Sequence, residues 1–458
     1  MSQIEKAGKG RITREMKQVA KEEGISPEEL RRNVRSGFAV VLKNKKHKHV
    51  NPVGIGRGLR VKVNANIGTS PLHAELSREI EKLRAAIEAG ADTVMDLSTG
   101  GDIDRIRREI VRRSFIPVGS VPIYQTAIEA GSIEEMDIDL YLKVFRKHAR
   151  DGIDFTTVHA GVTKKALGLI KNRVMKCVSR GGSFLLSWMK VNRKENFLFE
   201  HFEEILKIAG KYNVTLSLGD GLRPGCISDS TDKAQICELK ILGKLAEVAR
   251  ENGVQVIIEG PGHVPLNEIE KNIRLEKKYC NHAPFFVLGP LPTDIAAGYD
   301  HVAASIGAAL AAWKGADFLC YVTPKEHVGL PSVEDVREGV IAAKIAAHVA
   351  EIAKGNELAR ERDLKMSVAR ENVDWNEMLK HCIYPKKLIE LRRAECEKNP
   401  NLSRAKYCSM CGAFCVFRVY KNPGKNENHV RRNRFEGKGG GDSRKGGSRT
   451  GGKNSAHP

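Results

Sequence analysis

The sequence predicts an α/β fold, a (β/α)8 barrel of the TIM type, with a small N-terminal extension and a C-terminal helical segment that bears a metal cluster. Three observations point there. From about residue 60 to 330 short β-branched runs alternate with segments of helical period, eight or nine such runs occur, and nearly every run ends in residues able to bind or react. The third observation favours a barrel over an open doubly wound sheet, because barrel active sites are assembled from the loops at the C-terminal ends of the strands.

Residues 1–55 read as a basic, partly helical extension, and residues 56–355 as the barrel. The strand runs are LRVKVNANIG, ADTVMDLSTGG, IPVGSVPI, IDFTTVHAG, GSFLLSW, NVTLSLGDG, VQVIIEGPGH, PFFVLGP and DFLCYVTP. Between them lie helices. In IEKLRAAIEAGAD, Ile80, Leu83 and Ile87 share one face and Gly90 suits a C-terminal cap. Ser332 and Asp335 form the N-terminal signature of a long helix to about Lys354, ended by Gly355. Residues 356–420 are charged and helical, with Leu388 and Leu391 as packing positions, and carry the cysteine cluster. Residues 421–458 are basic and rich in Gly and Ser, a composition that buries too little apolar surface to order itself, so this tail is expected to be disordered.

With 458 residues, 41% of them hydrophobic, the chain can bury a large core. No run approaches the roughly 18 consecutive apolar residues of a membrane span, and the N-terminus lacks the apolar stretch of a signal peptide, so a cytoplasmic protein is expected. The net charge of +20 is concentrated at the ends: residues 1–50 carry 13 Lys/Arg against 6 Asp/Glu, and residues 421–458 carry 10 against 3. Aromatic residues for base stacking are nearly absent there, so these ends read as solvated or loosely anion-binding segments, and nucleic acid is the lesser alternative as a partner.

Ten cysteines are spread along the chain, and only Cys408, Cys411 and Cys415 are closely spaced, which is not the pattern of a disulfide scaffold. Cys177, Cys226, Cys237, Cys280, Cys320, Cys382 and Cys396 read as small buried hydrophobes without a role. In YCSMCGAFCVF the spacing C-x2-C-x3-C lets three thiols close on one face of a cubane, with Gly412 turning the chain between them. Structural zinc takes four ligands in two pairs; no second pair is near, and a zinc site would have to borrow His381 or Cys396. Three thiolates leave one iron of a [4Fe-4S] cluster open. An open iron can chelate S-adenosylmethionine and reduce its sulfonium, releasing methionine and a 5'-deoxyadenosyl radical, while the protein supplies position and a water-free cavity.

His263 in EGPGHVP and His327 in TPKEHVG each follow a predicted strand, so both should reach the same barrel mouth. They suit a divalent metal or acid-base work. The loop SRGG at 179–182 offers N-H groups, a hydroxyl and a guanidinium for a phosphate. In GDGLRPG, Asp220 and Arg223 can hold a sugar hydroxyl and an anion.

The strings NANIGTS, MDLSTGGD, VPIYQ, VHAGV, SRGG, SLGDGLRPG, IEGPGHVP, APFFVLGPLPTDIAAGYDH, GADFLCYVTPKEH and CSMCGAFC resemble the phosphomethylpyrimidine synthase family, radical S-adenosylmethionine enzymes of thiamine biosynthesis, from about residue 58 to 417. The resemblance implies a barrel enzyme, a homodimer, whose cluster segment can act on the neighbouring subunit's site. It implies conversion of 5-aminoimidazole ribotide into 4-amino-5-hydroxymethyl-2-methylpyrimidine phosphate with release of carbon monoxide and formate, driven by a [4Fe-4S] cluster on Cys408, Cys411 and Cys415, S-adenosylmethionine and an external electron donor. Substrate contacts carried over from the family fall on Asn66, Met95, Tyr124 and His159, on Ser179, Arg180 and Gly181, on Asp220, Gly221, Leu222 and Arg223, and on Glu259. His263 and His327 match the ligands of one divalent metal, zinc or iron.

Two departures stand out. The family usually reads APFYVLGP where this chain has APFFVLGP, so Phe286 lacks a substrate-facing hydroxyl, a lost hydrogen bond of about 1 kcal/mol. The cluster spacing is also one residue shorter than the C-x2-C-x4-C of the larger enzymes. Both keep open a related activity, 5-hydroxybenzimidazole synthesis from the same nucleotide for the cobalamin lower ligand. A non-catalytic nucleotide- or nucleic-acid-binding paralogue is the reading from another class, and the intact thiol triad and His pair argue against it.

Overall fold

The computed structural model describes residues 1–403, 405 and 407–421, so most of the predicted disordered tail lies outside the described residues. Two compact units emerge, Met1–Arg360 and the chain from Glu361 onward.

In the first unit, β1 (Ala39–Leu42) and β2 (Val53–Gly56) form an antiparallel hairpin that precedes the barrel. The barrel strands are β3 (Lys62–Ile67), β4 (Thr93–Asp96), β5 (Val118–Ser120), β6 (Phe155–Val158), β7 (Thr215–Leu218), β8 (Val256–Gly260), β9 (Phe285–Leu288) and β10 (Phe318–Cys320). All pair in parallel, and the barrel closes in the order β10-β3-β4-β5-β6-β7-β8-β9. The sequence reading of a (β/α)8 barrel is therefore correct.

The run GSFLLSW is not a strand. It lies in the helix Arg180–Asn192, which Ser179 caps by accepting the N-H of Gly182. Adjacent Leu185 and Leu186 are both buried, as a helix face allows and a two-residue alternation does not. Short apolar runs carry no period of their own, and here the cap decides. The helix Leu76–Glu88 buries Ile80 and Leu83 and half-buries Ile87 before Gly90 turns at φ +95°. The helix Val333–Ala353 starts on the Ser332/Asp335 capping box and ends before Gly355 at φ +85°.

Residues 1–56 fold rather than forming a solvated arm. Three helices, Gln3–Gly8, Arg14–Glu23 and Pro27–Arg35, start on hydroxyl caps from Ser2, Thr13 and Ser26 and share a core of Met16, Val19, Leu30, Val34 and Val41. This segment and the hairpin close the N-terminal end of the barrel. The Gln255 side chain bonds both the N-H and the C=O of Val41, at 2.8 and 3.0 Å. Asp154, just before β6, accepts the N-H of Asn44 at 2.7 Å and of Val118 at 2.8 Å, and holds His47 Nδ1 at 2.7 Å. Asp92, Asp317 and Glu351 likewise accept the N-H groups of Val63, Phe285 and Val61. Carboxylates thus satisfy backbone donors that begin the strands, where no ladder partner exists.

In the second unit, helices Trp375–His381 and Pro385–Lys398 follow each other, with Arg392 over the Trp375 ring at 4.2 Å. Leu388 is half-buried, but Leu391, expected to pack, is 55% exposed because it falls on the charged face of its helix.

Candidate active site

Strand alternation builds the site. Every second side chain of a barrel strand points inward. Phe155, Phe286 and Phe318 fill the interior, Phe286 stacking on Phe318 at 4.1 Å and Phe155 meeting it edge-on at 6.1 Å. Gly119 makes room for this layer, since a Cβ there would lie 2.5 Å from the Phe155 ring. One step further along the same strands lie Thr157, Leu288 and Cys320, and beyond Thr157 comes His159. These residues bound a cavity open to the C-terminal ends of the strands.

Eight of the expected substrate residues line that cavity: Asn66, Met95, Tyr124, His159, Asp220, Arg223, Glu259 and Phe286. Ser179, Arg180, Gly181, Gly221 and Leu222 do not line it but pack around those that do. Arg180 stacks over the Tyr124 ring at 4.9 Å. A Cβ on Gly181 would lie 2.3 Å from His159 Cε1, and one on Gly219 2.8 Å from His159 Cδ2, so two glycines hold the imidazole. Leu222 is buried and gives its N-H to Glu238 at 2.8 Å.

The electrostatics are those of a water-poor pocket. Burial, aided by the Arg223 charge, lowers His159 to about 3, so its ring is neutral, and its buried Nδ1 has no hydrogen-bond partner in the protein. Burial raises Asp220 to about 7 against the opposing pull of Arg223, whose Nη1 lies 2.9 Å from Oδ1. Burial also raises Glu259, although its Oε1 accepts the hydroxyls of Thr157 at 2.8 Å and Ser217 at 2.7 Å. Two buried carboxyls, one guanidinium and a neutral imidazole can bind a polar, phosphorylated sugar and move protons on it.

Sequence reasoning missed several contributors. Cys320, given no role, lines the cavity and accepts from Asn66 Nδ2 at 3.1 Å, while burial raises its thiol to about 12. Thr157 and Ser217 position Glu259. Their signal was parity: Thr157 stands two residues before His159, and Cys320 ends its strand.

His263 and His327 do come together, ring centres 5.3 Å apart. His263 Nδ1 lies 2.8 Å from Asp294 and His327 Nδ1 3.1 Å from Asp300, which leaves each Nε2 unengaged by these carboxylates. Carboxylates that hold one ring nitrogen are how proteins orient metal-ligating histidines, so the donor set fits a metal. Among the described residues no group of three or more His, Cys, Asp or Glu is gathered to hold an ion, and neither His381 nor Cys396 joins the thiols in one.

Cys408, Cys411 and Cys415 are unpaired thiols on one turn, in which Gly412 takes φ +53° and gives its N-H to the Cys408 carbonyl at 3.2 Å. Cys408 and Cys411 are half-buried and Cys415 is buried.

Comparison with known proteins agrees with this arrangement. The Radical SAM ThiC family matches residues 2–422, which includes the N-terminal segment that the motif resemblance left out. The phosphomethylpyrimidine synthase of Caldanaerobacter subterraneus subsp. tengcongensis is 55% identical over 92% of this chain and 97% of its own length. Those of Thermodesulfovibrio yellowstonii and Carboxydothermus hydrogenoformans are each 52% identical, over 92% and 93% of this chain and 99% of their own lengths. Among solved structures, a dihydropteroate synthase from Coxiella burnetii superposes on 64% of this chain and 94% of its own at TM-score 0.40 and 11% identity, too slight a likeness to bear on function. A radical S-adenosylmethionine family implies a [4Fe-4S] cluster and S-adenosylmethionine, and Cys408, Cys411 and Cys415 supply three free thiols at the C-x2-C-x3-C spacing for it, although among the described residues they are not drawn together into one ligand group. With the barrel, its polar mouth and the thiol turn all present in a chain matched almost end to end, the protein belongs to the Radical SAM ThiC family.

Proposed function

We propose that this chain is a lyase that converts 5-aminoimidazole ribotide, with S-adenosylmethionine, into 4-amino-5-hydroxymethyl-2-methylpyrimidine phosphate, releasing carbon monoxide and formate. The observation that carries the reading is that relatives named for this product match 92% of the chain at 55% identity, while the barrel mouth holds a cavity lined by Asp220, Arg223, Glu259 and His159.

Ser179, Arg180 and Gly181 bind the phosphate at the N-terminal end of the helix Arg180–Asn192, where unpaired N-H groups favour an anion. Asp220 and Arg223 hold the ribose, on a loop that Gly221 and Leu222 fix through the Leu222 N-H to Glu238 and the Leu222 carbonyl to Arg173. Glu259, neutral or charged according to its burial, and the unpartnered Nδ1 of His159 orient the aminoimidazole and exchange protons with it. Asn66, Met95, Tyr124 and Phe286 form the walls that exclude water. His263 and His327, oriented by Asp294 and Asp300, would hold one divalent metal, zinc or iron, which would supply a Lewis acid for a polar group of substrate or S-adenosylmethionine. When bound on Cys408, Cys411 and Cys415, the [4Fe-4S] cluster supplies the electron, received from an external donor, that makes S-adenosylmethionine a radical source.

The protein works in the cytoplasm as a homodimer; no helix among the described residues is long and apolar enough to cross a membrane. A second reading, 5-hydroxybenzimidazole synthesis from the same nucleotide, draws on Phe286, an apolar wall where the family places a phenol. A bacterial strain lacking its own phosphomethylpyrimidine synthase tests the first reading in a cell. Growth without thiamine is expected with this chain and not with Cys411→Ala. No growth despite a well-expressed protein that retains iron and sulfide would contradict it.

A further inference from the structure

Behind the substrate cavity, between the barrel and the helices Lys233–Glu251 and Leu266–Tyr279, lies a second, smaller cavity with room for a water molecule. Asp220 and Glu259 border both cavities, and Glu238 borders only the inner one. Glu238 is 2% exposed; its Oε2 accepts the N-H of Leu222 at 2.8 Å, and its Oε1 has no hydrogen-bond partner in the protein. Asp220 is 7% exposed; Arg223 takes its Oδ1, and its Oδ2 also has no partner. Two unpartnered, fully buried carboxyl oxygens therefore belong to residues that line one water-sized space.

The charges around them do not balance if every carboxyl is ionised. Asp220, Glu238 and Glu259 are three acids. The cations in their field are Arg223 and Arg173, and Arg173 is engaged by Asp232 through Nε at 2.8 Å and Nη2 at 2.7 Å. The remaining group facing Glu238 is the Cys177 thiol, which is neutral at ordinary pH because burial raises it to about 11. Buried acids that line one cavity keep at least one proton.

We propose that Glu238 is a positioning residue of this site: it stores a second proton behind the one on Asp220 and, once Asp220 has given its own to the substrate, passes the stored proton through water in the inner cavity to Oδ2 of Asp220. Burial first, and then the Asp220 charge, push Glu238 well above the carboxylate range, more strongly than Arg173 and two backbone N-H groups pull it down. When a substrate atom takes a proton from Asp220, the O-H bond of Asp220 breaks and leaves its carboxylate beside Arg223. The Glu238 proton then moves to Asp220. The negative charge comes to rest on Glu238, against the Leu222 N-H and the Arg173 field, until solvent restores the proton after product leaves. Asp220 is thereby reset without direct access to bulk water.

The role in turnover rests on the function proposed above; the stored proton does not. Infrared spectra of the purified holoenzyme at neutral pH, before substrate is added, test the proton directly. In difference spectra against the wild type, in which the bands of the other buried acids cancel, Glu238→Gln should lose one carbonyl-stretch band of a protonated carboxylic acid that Asp220→Asn keeps. Glu238→Gln retains the shape of the neutral acid, so it should bind 5-aminoimidazole ribotide with unchanged affinity while turnover falls about a hundredfold and the pH profile of turnover changes shape. Absence of the band from the wild type, its persistence in Glu238→Gln, or wild-type turnover with an unchanged pH profile in that variant would overturn the proposal. If Glu238→Gln fails to fold, the Asp220→Asn spectrum decides: a retained band supports it and a lost band refutes it. A wild type that makes another product would refute the proposed reaction and leave the infrared result standing.

Discussion

At the residue scale, the site depends on small neighbours as much as on reactive groups. Gly181→Ala places a methyl 2.3 Å from His159 Cε1, and because the ring sits between Gly181 and Gly219 it has no side to move to without clashing. The expected cost is about 1–3 kcal/mol of stability together with a clear loss of nucleotide affinity, measured by thermal unfolding and titration calorimetry. Asp220 gives a signed pH effect. An unfolded Asp titrates near 4, whereas burial, opposed by Arg223, raises the folded one to about 7. The folded state therefore binds more protons in that interval, and the wild type loses stability as pH rises through it. Asp220→Asn should lose less, so the gap in unfolding temperature should widen in the variant's favour from about pH 4 to pH 7 and then level off; parallel curves would contradict the burial argument. The residues that end strands were legible because polar groups at the close of a β-run have few other reasons to be there. Cys320 was not, because an inward thiol and a buried structural thiol look alike until the strand's parity is fixed.

At the element scale, eight parallel strands were legible from alternation, and the helix Arg180–Asn192 was not, since GSFLLSW has the composition of a strand and only its Ser179 cap shows its period. The N-terminal segment was the larger omission. Its charge concealed a core, because the Lys and Arg residues lie on the outer faces of helices whose Met16, Val19, Leu30 and Val34 are buried. His47 ties this segment to the barrel. Both ring nitrogens face acceptors, Nδ1 the Asp154 carboxylate at 2.7 Å and Nε2 the Ser114 carbonyl at 3.1 Å, an arrangement that suits the doubly protonated ring. Burial opposes that charge, and Asp154 outweighs burial, so the folded His47 stays protonated to higher pH than an unfolded one. Its stabilisation is present below the unfolded value near 6.5 and is lost as pH rises through the raised folded value. His47→Ala should cost about 3 kcal/mol at pH 6, less at pH 9, seen as chemical denaturation curves that converge with pH. A difference that grows with pH would be inconsistent with this account.

At the scale of the whole molecule, the division into a barrel unit and a cluster-bearing unit separates folding from redox chemistry. The barrel unit has its own closed sheet and core, so Cys411→Ala should empty the protein of iron and sulfide without lowering the unfolding temperature of the barrel. A matching loss of barrel stability would show that the cluster is structural. The cluster turn was readable from three thiols and a glycine, and the reaction was not, since an open-iron cluster serves many radical chemistries and the barrel pocket fixes only what binds in it. The most direct measurement is anaerobic incubation of the reconstituted protein with 5-aminoimidazole ribotide, S-adenosylmethionine and a reductant, with products read by mass spectrometry. The account predicts 4-amino-5-hydroxymethyl-2-methylpyrimidine phosphate together with 5'-deoxyadenosine and methionine. Formation of 5-hydroxybenzimidazole without the pyrimidine phosphate, or no product from protein that retains its iron and sulfide, would contradict it.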